Sequence, residues 1–402
     1  MQEPPMPILL TTIVLSGLGF GLVLPGMPFV AENLGASPAL ATFIMGLYAW
    51  GQFVATSLWG RLSDHYGRKP ILVITSGGAA LAYLLMAFAP NVWVLAAGRA
   101  LSGLMGGLAP AMAYVSDVTP PERRAQGLGW VGAAMSLGFV IGPAFGGVLG
   151  GEDAASASLR VPGLVAFVVA ALTTVATIVF LPESLPPEER VHPAGADADG
   201  TAGGGLRELV RRPLMTRLLL LGFSVYVAMA MFETIFPFWT RARFDWGPRE
   251  VGLTFTYLAI VVGLMQGLVV GRLAPRIGEG RLAIGGLASY ATGLFIMTQA
   301  PDWHWLLAGV TLTGGGGGTF LTSMTSFVSR LAGAQERGLV LGTYQSASWA
   351  GRSVGPTLSG ALFKSVGIDS PLLAGALIML PCIGMLAVIT SRSRTTPAGR
   401  PG

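Results

Sequence analysis

Apolar runs of about 20 residues recur twelve times along this chain, and that recurrence limits what it can become. As a helix rising 1.5 Å per residue, a run of that length crosses the hydrocarbon core of a bilayer. The runs fall at about 7–31, 40–60, 70–90, 92–116, 125–150 and 161–181. After a polar stretch they resume at about 214–240, 248–274, 281–300, 303–328, 338–363 and 371–391. Charged residues make up 11% of the 402, too few to coat a soluble protein, which carries roughly 25%. The single cysteine excludes a disulfide scaffold, and the 52% hydrophobic content excludes disorder. The 58 glycines have no period of three, which excludes collagen. An all-α membrane protein of twelve spans in two six-helix halves is the remaining class.

The net charge of +5 does not point to nucleic acid, because the basic residues sit between apolar runs rather than along one stripe. With the N-terminus inside, about eighteen of the 25 basic residues fall in cytoplasmic segments. Arg160, Arg241, Arg243, Arg249 and Lys364 fall outside, and Arg99 and Arg352 lie within spans. Positive segments stay in the cytoplasm, so both termini are expected there. Asp245 and Glu250 offset the three outer arginines of 241–249. No basic residue precedes the first run, so it does not read as a cleaved leader.

Prolines at 182, 186, 187 and 193, three glycines at 203–205 and mixed charge mark a flexible linker. The expected division is a first bundle over 1–182, a linker over 183–212, a second bundle over 213–391 and a disordered tail over 392–402. The joints Pro90-Asn91 and Pro301-Asp302 predict tight antiparallel turns.

The halves repeat. Gly129, Gly138, Gly142-Pro143 and Gly146-Gly147 in the fifth run match Gly342, Gly351, Gly355-Pro356 and Ser359-Gly360 in the eleventh, 213 residues on. A weaker match sets Gly60-Arg-Leu…Gly67 against Gly271-Arg-Leu…Gly278. Two parallel repeats about an axis along the membrane normal form a known transporter plan.

Gly60-Arg-Leu-Ser-Asp64-His-Tyr-Gly67-Arg68-Lys69 resembles the loop 2–3 signature of the major facilitator superfamily, and Gly129–Gly147 resembles the helix-five motif of its drug:proton antiporters. Arg99-Ala-Leu-Ser-Gly103 resembles the family's helix-four motif R-x-x-x-G, and Gly21-Leu-Val-Leu-Pro25-Gly-Met-Pro28 resembles the helix-one segment of tetracycline and multidrug exporters. The resemblance implies a secondary transporter in a cell inner or plasma membrane, moving small lipophilic molecules, antibiotics among them, against protons by alternating access. A sugar, metabolite or lipid carrier of the same fold is the nearest alternative, and a polytopic membrane enzyme a more distant one. It also implies an inner latch in which Asp64 faces the positive end of helix eleven and Arg68 pairs with Asp117. In the second copy Pro275 replaces the aspartate and Glu279-Gly280 replaces Arg-Lys, so one working latch is expected. Relatives carry an acid in helix one where this chain has Ser16, and no acid lies between Glu3 and Glu32. No coupling role in helix one carries over.

Glu233 is the acid placed well inside a span, with Pro237 one turn on, so its backbone carbonyl loses a donor. Intramembrane charges are costly and mark function, which makes Glu233 the expected proton site. Arg352 is its expected partner, and Arg99, roughly 10 Å below a helix end, pairs in at most one state. Tyr226, Met229, Phe232 and Phe236 share a face with Glu233 and are candidates to line a substrate cavity, against ordinary packing. The glycines of the repeats and the run Gly314–Gly318 are read as close-packing sites. Neither GxxxxGK nor a histidine–cysteine cluster is present, so no ATP loop, cofactor, metal or nucleophile is expected. Protons, a small-molecule substrate and the bilayer are the expected partners of a monomer.

Overall fold

The structure, a computed structural model, describes residues 6–120, 123–190, 209, 211–331 and 336–395. The expected linker's 191–208, with its glycines and Arg207, and the tail beyond 395 lie outside the described residues, as do the side chains of 392–395. Among the described residues every long element is helical and there is no strand.

The first half runs α1 (Met6–Val23), α2 (Met27–Asn33), α3 (Pro38–Tyr66), α4 (Arg68–Ala87), α5 (Val92–Leu104), α6 (Leu108–Val118), α7 (Arg124–Gly150) and α8 (Arg160–Phe180). The second half runs α9 (Pro213–Phe244), α10 (Pro248–Leu264), a π-helical turn (Met265–Val270), α11 (Gly271–Ile277), α12 (Glu279–Thr298), α13 (Trp303–Leu331), α14 (Arg337–Ser365) and α15 (Ser370–Thr395). Two apolar runs that read as single spans are broken. Pro25, which has no amide proton, separates α1 from α2. Met105-Gly106-Gly107 separates α5 from α6, where a side chain on Gly106 would meet Gln52 Oε1 at 2.1 Å.

Among the described residues ten helical stretches are long and apolar enough to cross a membrane. The two others, α13 and α14, have the length at 29 residues each but carry glycine, hydroxyls, Arg352 and Lys364. The short joints are built alike. Asn91 accepts from the amides of Trp93 and Val94, both at 3.0 Å, and Asp302 accepts from those of His304 and Trp305 at 2.9 and 3.2 Å. Each satisfies amides that the first turn of a helix leaves open. The backbone hydrogen bonds hold the Asp302 carboxyl below its ordinary pKa.

The chain forms two compact units. One comprises residues 1–199 with 236–257; the other comprises 200–235 with 258–402. In the first, α7 packs on α1 through glycine: a side chain on Gly138 would sit 2.5 Å from Val14 O, and one on Gly146 only 2.2 Å from Leu22 O. In the second, α14 packs on α9 the same way, with Gly351 against Phe223 O at 2.3 Å and Gly355 against Val227 O at 2.5 Å. The Gly314–Gly318 run brings α13 onto α12, Gly316 meeting Gly286 O at 2.4 Å. Of the α9 span 67% is buried, against 22% of α8, whose Leu172, Val175 and Val179 face outward as lipid contacts do.

Candidate functional site

In the second unit, the close approach at Gly351 and Gly355 sets the neighbouring Arg352 against α9. Its Nη2 donates to both carboxylate oxygens of Glu233. The side chains keep 31% and 45% exposure, so the pair can be reached from outside the packed core. The guanidinium also lies 5.9 Å from the ring centre of Tyr226 and 5.8 Å from that of Trp349, within cation–π range. The next residue, Thr234, contacts the Ser359 hydroxyl at 3.2 Å, a second tie between the helices. Glu233 lies roughly 16 Å along the helix from its Phe244 end.

Arg99 belongs to the first unit, in α5. It is 2% exposed, and its Nε and Nη1 have no hydrogen-bond partner. The guanidinium stacks 5.1 Å from Phe20 and 4.7 Å from Tyr48.

The loop 2–3 residues converge. Gly67 takes φ +101°, which a side chain would strain, and ends α3 so that α4 starts at Arg68. Arg68 is buried and donates to Asp64, to Asp117 at 3.0 Å and to Ser63 at 2.8 Å. Glu183 Oε1 accepts from the Arg68 amide at 2.8 Å, and Oε2 from the Lys69 amide at 3.3 Å, capping α4 at its positive end. Ser184 donates to Asp117 at 3.0 Å. Glu183 and Ser184 escaped the sequence reading, which placed them in the linker; an acid straight after the helix-ending Pro182 was the available signal. Gly60 has nothing within 4 Å of an added side chain, so its place in the signature has no packing cause here.

The expectation that the second copy lacks this tie is corrected. Glu279, the first residue of α12, pairs with Arg330 in the last turn of α13 and accepts from Ser326 at 2.6 Å. Gly278 before it takes φ +88°. The ion pair is present at the equivalent place with its charges exchanged.

Two further expectations change. Gly129 has nothing within 4 Å of an added side chain, so it does not pack: it lies on the exposed face of α7, while Leu128 and Val131 beside it pack with α1. Gly142 meets Gly21, Pro143 touches the same residue, and Gly147 packs on Gly252 at 2.9 Å, so the rest of the motif does pack. On α9, Met229, Phe232 and Phe236 are 6%, 3% and 0% exposed and fill helix contacts rather than an open wall. Phe232 packs edge-on to Tyr290 at 6.4 Å and Phe236 against Phe255 at 5.5 Å. Tyr226, beside Arg352, keeps partial exposure.

At the loop end expected outside, Arg241 pairs with Glu32, Arg249 with Glu152 at 3.5 Å, and Arg243 lies over Trp239 at 5.7 Å, all within the first unit. Acids of the first half therefore offset two of the three arginines, Arg241 and Arg249, beyond Asp245 and Glu250.

Long apolar helices whose second set repeats the caps, glycine contacts and ion pairs of the first define a multi-pass membrane transporter of the two-repeat kind. The chain belongs to the Major Facilitator Superfamily, whose profile matches residues 9–279 and 218–402. It is 28% identical over 386 residues to the class C tetracycline resistance protein of Escherichia coli, covering 94% of this chain and 95% of that one. It is 27% identical over 383 residues to multidrug resistance protein 2 of Bacillus subtilis (strain 168), covering 95% and 94%. Among solved structures, the human organic anion transporter MFSD10 superimposes with TM-score 0.71 at 22% identity, over 96% of this chain and 100% of that one. The peptide transporter POT does so with TM-score 0.77 at 15% identity, over 98% and 95%. These two likenesses carry the fold.

Proposed function

We propose that this chain exports small lipophilic compounds, tetracycline-like drugs among them, in exchange for protons. The observation that carries the reading is the Glu233–Arg352 pair, a half-exposed carboxylate in the middle of the most buried span with a cationic partner. Protonation of Glu233 frees Arg352 and changes the charge presented between α9 and α14. A proton bound with different affinity in two conformations drives one toward the other. The relatives named for tetracycline and multidrug resistance supply the substrate class.

In this reading the halves 1–182 and 213–391 move as bodies joined by 183–212, with both termini cytoplasmic and the protein monomeric in the inner or plasma membrane. Asp64, Arg68, Lys69 and Asp117 form the inner latch, and Glu279–Arg330 is its counterpart. Arg99 has no acid beside it among the described residues, and on this reading it pairs in at most one state of the cycle.

The test is transport of tetracycline or a lipophilic dye into inside-out vesicles under a pH gradient. Glu233→Gln fixes the neutral form and is expected to abolish gradient-driven uptake while keeping ligand binding. Uptake equal to wild type would show that the proton binds elsewhere or that the protein is a facilitator.

A further inference from the structure

A cavity of about 110 Å³ lies inside the first unit, among α1 and α3 to α8. A cavity of roughly 150 Å³ takes up a benzene ring in an engineered protein, so this one has room for several waters or for one small ring. None of the described residues lining it is charged. Ser16, midway along α1, lines it and is exposed, which marks an opening. Phe20, Tyr48 and Phe139 form an aromatic wall, with the Phe20 ring 4.5 Å from Tyr48 and 5.3 Å from Phe139. Arg99 packs on Phe20 and Tyr48 and takes no part in the lining.

The serine and threonine protons of the lining are already committed. Thr12, Ser16, Ser102, Thr173 and Thr177 each donate to a backbone carbonyl of their own helix, at 2.7–2.8 Å. Ser76 does the same and also accepts from Thr174 at 3.0 Å. Thr75, 2% exposed, shares its proton between the carbonyls of Ile71 and Leu72, at 2.9 and 3.1 Å. A hydroxyl that donates keeps its lone pairs, so these side chains offer the cavity acceptors. Gln52 turns its amide nitrogen to the Tyr48 hydroxyl at 2.7 Å and keeps its carbonyl oxygen as a further acceptor. The break in the fourth span keeps one of these acceptors open. A side chain on Gly107 would stand 2.8 Å from Thr75 Oγ1, so the glycine leaves that oxygen uncovered.

We infer that this cavity binds an uncharged aromatic molecule by its hydrogen-bond donor: a phenolic O–H or an aromatic amine N–H is given to Thr75 Oγ1, and the ring lies against Phe20, Tyr48 and Phe139. The imbalance of donors and acceptors sets the class. A ligand that donates gains a bond outright. One that only accepts gains a bond from these serines and threonines by breaking one already made. Water donates too, so the ligand's advantage over water lies in its ring, through apolar burial and ring–ring contact. A cation meets no acid on the wall and a carboxylate meets no charged donor, and a buried charge without a partner is costly. The site deepens the export reading by naming its cargo as neutral phenol-like and aniline-like molecules. That they are exported rests on that reading; that they bind does not.

The experiment uses the purified full chain in lipid nanodiscs without a pH gradient. Binding is measured by calorimetry, and empty nanodiscs correct for partition into lipid. The probes are phenol against anisole and aniline against N,N-dimethylaniline, pairs that differ in the donor, with benzylammonium and benzoate as charged probes. Wild type is expected to bind the donor of each pair about fivefold more tightly, the net worth of one neutral hydrogen bond, and to bind both charged probes more weakly than phenol. Thr75→Val removes the acceptor and is expected to make the members of each pair equal while keeping the anisole affinity. If Thr75→Val fails to fold, Gly107→Ala decides: its methyl group covers Thr75 Oγ1 and should also make each pair equal. Four results would overturn the site: equal binding within each pair by wild type, no binding of any probe, benzylammonium or benzoate bound more tightly than phenol, or an undiminished donor preference in the folded variant. The wild-type preference without gradient-driven drug uptake would contradict the export reading and leave the site standing.

Discussion

Helix α4 begins with Arg68 and α12 begins, 211 residues later, with Glu279; each reaches the last turn of the following span, where the first finds Asp117 and the second Arg330. The two ties occupy one place in the repeat and carry opposite signs. What that place requires is a pair of opposite charges joining the start of one helix to the end of another. Which helix carries the cation is free to change. The surroundings differ as well. Arg68 has two carboxylates and a hydroxyl, and Glu183 caps its helix, whereas Glu279 has one exposed arginine and one hydroxyl. Deeper in the spans the contrast reverses. The arginine of the second half, Arg352, is partly exposed and paired, while that of the first, Arg99, is buried and has no acid partner among the described residues.

The largest effects come from the contacts the halves share. Gly146→Ala and Gly351→Ala each drive a side chain into a backbone oxygen, at 2.2 and 2.3 Å. Each is expected to lower stability by about 1–3 kcal/mol, the usual cost of overpacking. Gly129→Ala and Gly342→Ala have open space and should be neutral or stabilising by up to about 1 kcal/mol, the helix preference of alanine over glycine. Thermal unfolding of the four variants checks both pairings, and equal effects within a pair would break the packing comparison.

A smaller effect distinguishes the swapped ties. Asp117→Ala leaves Arg68 with Asp64 and Ser63, while Arg330→Ala leaves the buried Glu279 carboxylate with Ser326 alone. Arg330→Ala is therefore expected to destabilise more, by about 1 kcal/mol, the low end for a buried polar group because Ser326 stays bonded to it. Unfolding midpoints that rank the other way would show that the second tie is not carrying its helix.

The smallest effect concerns a surface contact of the second half. Arg212 donates to both oxygens of Glu336, at 2.7 and 3.0 Å, and holds its carboxyl below the ordinary glutamate pKa. A depressed folded value contributes stability that is complete above the unfolded pKa and is lost as pH falls through the folded one. Wild type should therefore lose slightly more stability than Glu336→Gln on acidification below the ordinary glutamate range. Because the pair is exposed, salt should shrink that difference. Parallel pH profiles for the two proteins would remove the contact from the account.

Most of the span pattern was legible because an apolar run of bilayer length has few alternatives. The breaks were not. Met105-Gly106-Gly107 sits inside a continuous apolar run, and only Gln52 and Thr75, from α3 and α4, explain why the glycines are needed there. Arg68 with Asp117 could be named from a signature, but Glu279 with Arg330 could not, since a pattern defined by residue type discards its own charge-reversed copy. Gly129 and Gly138 look alike in sequence but stand about two and a half turns apart, so one faces outward from α7 and the other faces α1. Met229, Phe232 and Phe236 share a helical face with Glu233, and spacing alone does not distinguish a wall from a packed seam.

The central claim is that Glu233, paired with Arg352, carries the coupled proton. The most direct measurement is proton release on tetracycline binding by the purified protein in weakly buffered solution, followed with a pH-indicator dye near neutrality. If Glu233 ionises as ligand binds, wild type releases protons and Glu233→Gln binds ligand without releasing any. Equal release from the two proteins would contradict the account.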